Sequence, residues 1–266
     1  GNKWIDMTSG IFVTNAGHSN SDISRAIKNQ VDSDLTFSYQ YNTDVRDKFI
    51  KKLFEISPPH YDKGVLLNSG SEVTDAAYRL IKTWGKKHNK KYIVTFTGSY
   101  HGHVLGSDLI GGTSTSTDWC NFKDKEIWFL PFPKKGDELD LNDLPPLDKI
   151  AAFFLETYQG WGAWMYPQKY IDKLYKTSRD NNILFCFDEV QSGFYRMGEL
   201  YGYMTYGDYK PDIITLGKGL TSSLPLSAFD LLASAVSISA IFASITDFSI
   251  AVEPLTQTIL SISPTV

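Results

Sequence analysis

The chain has 266 residues, 42% of them hydrophobic and 21% charged. That composition excludes a disulfide-stapled miniprotein and a disordered chain. Lys and Arg total 26 against 30 Asp and Glu, and a net charge of -4 argues against a nucleic-acid partner, whose footprint would be basic. Cys120 and Cys186, the two cysteines, cannot build a disulfide framework, so a reducing, cytoplasmic setting is expected. The opening residues Gly1-Asn2-Lys3-Trp4 are polar, with no initiator Met and no signal peptide, so the sequence is expected to begin inside a longer protein.

In chain order, Gly64-Val65-Leu66-Leu67-Asn68 reads as a strand, and Ser71 to His88 reads as a helix. Its apolar residues Val73, Ala76, Ala77, Leu80, Ile81 and Trp84 recur at helical spacing. Further strands are expected at Tyr92–Thr97, Ala151–Thr157, Ile183–Asp188 and Ile213–Leu216. A helix over Gln168–Asp180 ends at the turn Asn181-Asn182. Strands alternating with helices predict a three-layer α/β/α domain with a mostly parallel central sheet. In such sheets ligands sit at the carboxyl ends of the strands.

The composition changes at residue 228. Residues 229–266 hold no Lys or Arg, and their charges are Asp230, Asp247 and Glu253. The run Leu231 to Thr246 is apolar and rich in Ser and Ala, too short and too hydroxyl-laden for a membrane span. A buried hairpin or a helix would fit it.

Every expected strand runs into polar or Gly-rich sequence. After the first strand, Ser69-Gly70-Ser71 opens a helix whose amides can hold a phosphate; taken alone, an N-cap is the stronger reading. No GxxxxGK[ST] and no GxGxxG is present, which removes the main support for nucleotide binding. Asp188 ends an otherwise apolar strand and needs a partner, either a structural cation or the protonated nitrogen of a pyridine ring. Lys218 also ends a buried strand, and a desolvated lysine is a candidate Schiff-base nucleophile. Tyr100 is placed to stack on a planar ring or to pack in the core. His101 and His103 lack a third ligand at metal spacing, so no metal is expected. Cys186, among aromatics within a strand, reads as core. Phosphate cradle, ring stacker, acid and lysine together are the parts that pyridoxal phosphate requires.

The stretches Asn68-Ser-Gly-Ser-Glu72, Tyr100-His-Gly102, Asp188-Glu-Val-Gln-Ser-Gly-Phe194 with Arg196 and Gly198, and Pro211-Asp-Ile-Ile-Thr-Leu-Gly-Lys-Gly219 resemble those of the class III, fold-type I aminotransferases that use pyridoxal phosphate. This group contains the 4-aminobutyrate and ornithine aminotransferases. The resemblance covers about residues 4–228. It implies that Lys218 forms the internal aldimine and shuttles the substrate proton, and that Asp188 pairs with the ring nitrogen. Gln191 would lie near the ring's phenolic oxygen, Gly70 and Ser71 would bind the phosphate, Tyr100 would cover the ring, and Glu156 would stand near the cofactor. It further implies a ping-pong transfer from an amino donor to a 2-oxo acid, a homodimer for the complete protein, and no membrane partner. An aminomutase, decarboxylase or racemase on the same fold, or a non-catalytic cofactor-binding fragment, are the alternatives.

The expected organisation is an N-terminal segment at 1–45, a cofactor-binding large domain at 46–228, and an atypical tail at 229–266, frameshifted or non-homologous. The small domain would then be largely missing and the enzyme incomplete. Two departures stand out. Glu156-Thr157 replaces the family's Glu-Pro, and Trp161-Gly162-Ala163-Trp164 stands where another acid is common, suggesting a more apolar pocket wall.

Overall fold

The computed structural model describes residues 1–34, 41–113, 115, 117–232 and, as backbone, 251–252. The chain order is α1 (Ser9–Phe12), α2 (Ser21–Val31), α3 (Asp44–Ile56), β1 (Lys63–Leu67), α4 (Gly70–Lys87), β2 (Tyr92–Phe96), α5 (Leu105–Ile110) and β3 (Ile127–Leu130). It continues with β4 (Ile150–Glu156), β5 (Tyr158–Gln159), β6 (Trp164–Met165), α6 (Gln168–Asp180), β7 (Leu184–Asp188), β8 (Ile213–Leu216), β9 (Ser227–Leu231) and β10 (Ala251–Val252). The main sheet has the order β10-β1-β9-β8-β7-β4-β2-β3, and β5 and β6 pair separately. The pairs β8–β7, β7–β4, β4–β2 and β2–β3 are parallel. Strand β9 is antiparallel to both β8 and β1, so β1 points the same way as β8. The carboxyl ends of β1, β2, β4, β7 and β8 therefore share one edge.

The three-layer expectation holds because the central strands are apolar on both faces. Phe153, Leu155, Phe185 and Phe187 join Ile171 and Leu174 of α6 on one side. Ala152, Phe154, Leu184 and Cys186 join Val73, Ala77, Leu80, Ile81 and Trp84 of α4 on the other. Cys186 is buried core, and burial pushes its thiol well above the usual range. Helix α6 ends at Asn181, with Asn182 in the left-handed region at φ 49°. Among the described residues, no helix is long and apolar enough to cross a membrane.

Strand β9 runs across the change of composition at residue 228. Its Phe229 and Leu231 are fully buried in the α4-side core. Beyond Leu232 the expected hairpin or helix of the tail lies outside the described residues. Asp230, between those two core residues, points to the other side. There its Oδ2 accepts from Ser57 Oγ at 3.2 Å and its Oδ1 has no partner.

The segment after β7 is pinned by Glu189. One oxygen accepts from Thr157 Oγ1 at 2.5 Å and the Tyr203 amide at 2.7 Å; the other accepts from Ser192 Oγ and the Gly202 amide, each at 2.7 Å. Each oxygen thus faces one backbone N–H that cannot reverse its polarity. Glu189→Gln must set an NH2 group against one of those amides. The expected loss is roughly 2–4 kcal/mol of stability, read from the urea midpoint. An unchanged midpoint would contradict the role.

Burial pushes the Asp230 carboxyl up to about 7. A raised acid keeps its proton in the folded state while the unfolded chain loses it near pH 4. Stability should therefore fall between pH 4 and pH 7 and level off above, by on the order of 4 kcal/mol from this group. Asp230→Asn should flatten that part of the pH profile, equal the parent near pH 4 and melt higher at pH 8. Parallel thermal melts across this range are the check.

Candidate active site

In-register pairing sets the first layer of the site. Glu156 pairs with Asp188, and Asp188 with Thr215, so the last residues of β4 and β7 stand level with Thr215, the last but one of β8. Period-two alternation carries their side chains to the α4 side, on the same face as Phe154, Cys186 and Ile213. Asp188 is 6% exposed. Its Oδ2 meets His101 Nδ1 at 2.7 Å, and its Oδ1 accepts from Thr215 Oγ1 at 2.9 Å and the Val190 amide at 3.1 Å. The anticipated structural Arg or Lys is not the partner; a histidine, a hydroxyl and an amide are. A carboxylate offers about four acceptor sites, so one is left for a further donor.

Glu156 lies beside it, also buried, with Oε1 accepting from the Tyr100 amide at 2.9 Å and Oε2 from the Gly160 amide at 3.0 Å. Burial pushes its carboxyl up to about 7. Gln191 belongs to the same corner, because a Cβ on Gly160 would stand 2.4 Å from Gln191 Oε1 and 3.0 Å from Glu156 Oε2. That Gln191 oxygen is buried without a hydrogen-bond partner, as is His101 Nε2. The Tyr100 ring is 39% exposed and meets His103 edge-on at 5.2 Å between centroids, leaving it free to cover a flat group.

At the start of α4 the capping reading and the anion reading divide between different residues. Ser69 is the cap: its Oγ accepts from the Glu72 amide at 3.2 Å, and Glu72 Oε2 accepts from the Asn68 and Ser69 amides at 3.0 and 2.8 Å. The Gly70 and Ser71 amides, next in line, have no intrahelical acceptor and remain available to an anion at the positive end of the helix. Ser71 Oγ accepts from the His103 amide at 3.2 Å. Gly102, at φ 111°, lies so close that a Cβ would stand 2.2 Å from that Oγ.

Lys218 reaches the same place from β8. A Cβ on Gly70 would lie 2.8 Å from Val190 Cγ1 and one on Gly217 3.2 Å from the same atom, so cradle and lysine loop meet across Val190. Lys218 has φ 41°, a strained backbone for a side-chain-bearing residue. Burial lowers its ammonium pKa, opposed by the charges of Asp188 and Glu156. The N-terminal segment packs over this loop: Ser222 Oγ accepts from the Ala16 amide at 2.7 Å, and Asn15 Nδ2 donates to Phe194 O at 2.9 Å. Arg196 donates to Asn15 Oδ1 at 2.6 Å.

The seven residues singled out in the sequence, Gly70, Ser71, Tyr100, Glu156, Asp188, Gln191 and Lys218, thus gather at one sheet edge. His101, Thr215 and Glu189 were not among them, although His101 and Thr215 bond directly to Asp188. A polar residue within an otherwise apolar strand signals Thr215, but no spacing ties His101 to a carboxylate 87 positions away. Among the described residues, no three His, Cys, Asp or Glu could hold a metal ion. Trp161 is 73% exposed at the tip of the β5–β6 hairpin. The Trp164 indole lies against Gly162 and 6.3 Å from the Phe132 ring.

Four similarities bear on the site. Residues 1–239 match the family model for class-III aminotransferases. The chain is 32% identical over 232 residues to a [LysW]-aminoadipate semialdehyde/glutamate semialdehyde transaminase of Sulfolobus acidocaldarius, covering 85% of this chain and 57% of that protein. It is 30% identical over 250 residues to an isoleucine 2-epimerase of Lentilactobacillus buchneri, covering 86% and 55%. The fold is that of a taurine:2-oxoglutarate aminotransferase from Bifidobacterium kashiwanohense solved with PLP and glutamate, at TM-score 0.78 and 21% identity over 93% of this chain and 58% of that one. The chain therefore spans a little over half the length of these relatives. With its strand-end carboxylates, cradle and lysine in one ordered set, the chain belongs to the class-III aminotransferase family.

Proposed function

We propose that the protein to which this chain belongs is a pyridoxal-phosphate-dependent aminotransferase, moving an amino group from an amine or amino-acid donor to a 2-oxo acid in ping-pong fashion. The observation that carries the reading is Asp188, a buried carboxylate with three donors, one open acceptor site, and a desolvated lysine amine beside it. The residues fit the cofactor. The Gly70 and Ser71 amides suit its phosphate, Asp188 its ring nitrogen, the orphaned Gln191 oxygen its phenolic edge, and Tyr100 one ring face. When bound, pyridoxal phosphate supplies an aldehyde carbon and an electron-withdrawing ring.

The chain's own residues do the rest. Burial favours the neutral, nucleophilic form of Lys218 and lets it take and return a proton at the substrate α-carbon. Asp188, oriented by His101 and Thr215, holds a positive charge at the ring nitrogen. Glu156 fixes the Tyr100 and Gly160 backbone on either side of the pocket. Cytoplasmic placement, a homodimer and the organisation into 1–45, 46–228 and a divergent 229–266 belong to the same proposal. The similarity to isoleucine 2-epimerase favours one alternative, inversion at the same carbon. Chiral analysis of an amino acid incubated without any oxo acid separates inversion from transfer.

Lys218→Ala should lower turnover by roughly 10³-fold or more, while the cradle still binds free cofactor. Borohydride reduction should leave a pyridoxyl mass on Lys218 of the parent and none on the variant. Multi-turnover activity in the variant would remove Lys218 from this role.

Asp188→Asn keeps the shape but loses the charge at the ring nitrogen. The kcat should fall by on the order of 10²–10³ with cofactor occupancy nearly unchanged. Equal kcat values, measured with a saturating donor and acceptor, would assign Asp188 to structure alone.

A further inference from the structure

Helix α5 contains a buried carboxylate that its own backbone does not use. Asp108 is 1% exposed. The start of α5 is closed by Ser107, whose Oγ accepts from the Val104 amide at 3.0 Å, so capping does not account for the acid. Asp108 Oδ2 accepts from Trp119 Nε1 at 2.7 Å, and Oδ1 accepts from His103 Nδ1 at 3.1 Å. Among the described residues no Lys or Arg pairs with it, and the His103 imidazole is its one basic partner. A carboxylate is buried at a cost unless it is paired, so Asp108 and His103 hold each other in place.

His103 is fixed although its side chain is 72% exposed. Its amide donates to Ser71 Oγ at 3.2 Å, and Gly102 before it has no room for a Cβ against that hydroxyl. Its ring is tied through Nδ1 to Asp108. Holding an exposed side chain in one rotamer costs entropy, and what the held ring meets is Tyr100. The two ring centroids are 5.2 Å apart with their planes at 79°, the edge-to-face arrangement that aromatic pairs favour. The Tyr100 amide is anchored separately, on Glu156 Oε1 at 2.9 Å. Tyr100 is therefore fixed at its backbone by the pocket and at its ring by His103. Burial, then the charges of Asp108 and Asp188, raise its hydroxyl above the usual range and keep the ring neutral.

We propose that His103, oriented by the buried Asp108–Trp119 pair, is a positioning residue that holds the Tyr100 ring in place to stack on the cofactor ring. Asp108 acts through His103, and Trp119 occupies the carboxylate oxygen that His103 does not use. This role rests on the cofactor reading above, because the cofactor ring is what Tyr100 would meet. A half-exposed tyrosine without such a prop can turn toward solvent, and ordering it would then be charged against binding. The prop lies outside the cradle and the carboxylate corner, so it sets how firmly the ring is covered without touching the phosphate or the ring nitrogen.

The test is titration of the full chain with pyridoxal phosphate, followed by visible absorption and circular dichroism, beside a titration with inorganic phosphate. Phosphate needs Gly70 and Ser71 but not Tyr100, so the pair of titrations separates ring from cradle. His103→Ala should weaken pyridoxal phosphate roughly 3- to 10-fold and shrink its visible dichroism, at unchanged melting temperature and phosphate affinity. Asp108→Asn should move the same readouts in the same direction and add nothing to His103→Ala. In a Tyr100→Ala background, His103→Ala should have no further effect on either titration. Unchanged cofactor affinity in His103→Ala, equal weakening of phosphate and cofactor, or additive losses in either double variant would each overturn the proposal. A parent chain that binds phosphate but takes up no pyridoxal phosphate would overturn the cofactor reading itself, and this role with it.

Discussion

Burying a carboxylate at the end of an apolar strand is the constraint on which this edge of the molecule depends. Asp188 follows four fully or nearly fully buried residues and inherits their desolvation. It is tolerable because parallel register delivers Thr215 from β8 on one flank, and the loop after β2 delivers His101 against Phe154. The Val190 amide adds a third donor from within the same turn. Each donor is held by a different element, so Asp188 cannot be satisfied until β2, β7 and β8 have assembled. The same carboxylate is therefore also a check on the fold.

Its neighbour works in the opposite direction. Glu189 lies on the other face of the strand end, where it collects two hydroxyls and two amides from the segments around Thr157, Ser192 and Gly202. These four bonds hold the turn that carries Val190 and Gln191. Val190 in turn wedges between Gly70 and Gly217, where a Cβ at Gly70 would stand 2.8 Å and one at Gly217 3.2 Å from its Cγ1. Consecutive acids thus divide the labour: Asp188 presents an open acceptor toward the pocket, and Glu189 spends its whole acceptor capacity on positioning the loop. Charge and spacing do not distinguish the two; only the face each occupies does.

That distinction also marks how much was legible in the sequence. The strands Tyr92–Phe96, Ile150–Glu156, Leu184–Asp188 and Ile213–Leu216 were readable because sheets covered on both faces leave continuous apolar runs. Gly70, Asp188 and Lys218 were readable because polar residues ending such runs have few other reasons to be there. Strand β3 was not readable: Ile127-Trp128-Phe129-Leu130 is a short edge strand whose Trp128 and Phe129 are exposed. Nor was β9, since its antiparallel place between β1 and β8 depends on partners more than a hundred residues apart for one of them. The change of composition at residue 228 is real in the sequence, yet the sheet continues through it. The core accepts Phe229 and Leu231 on shape alone, and leaves Asp230 with one oxygen unpartnered. His101 stayed hidden for the same reason as β9, because a long-range pair has no local period.

The pocket's electrostatics follow from depth rather than from any single charge. Two amides favour ionised Glu156, yet burial outweighs them and leaves its carboxyl at about 7. Burial acts in the same sense on Lys218, favouring its uncharged form, while Asp188 and Glu156 pull the other way. The acid is pushed up and the base pushed down, so their proton affinities converge. Each group is thereby biased toward its uncharged form. This is the condition a lysine must meet to serve as nucleophile in one step and as proton carrier in the next.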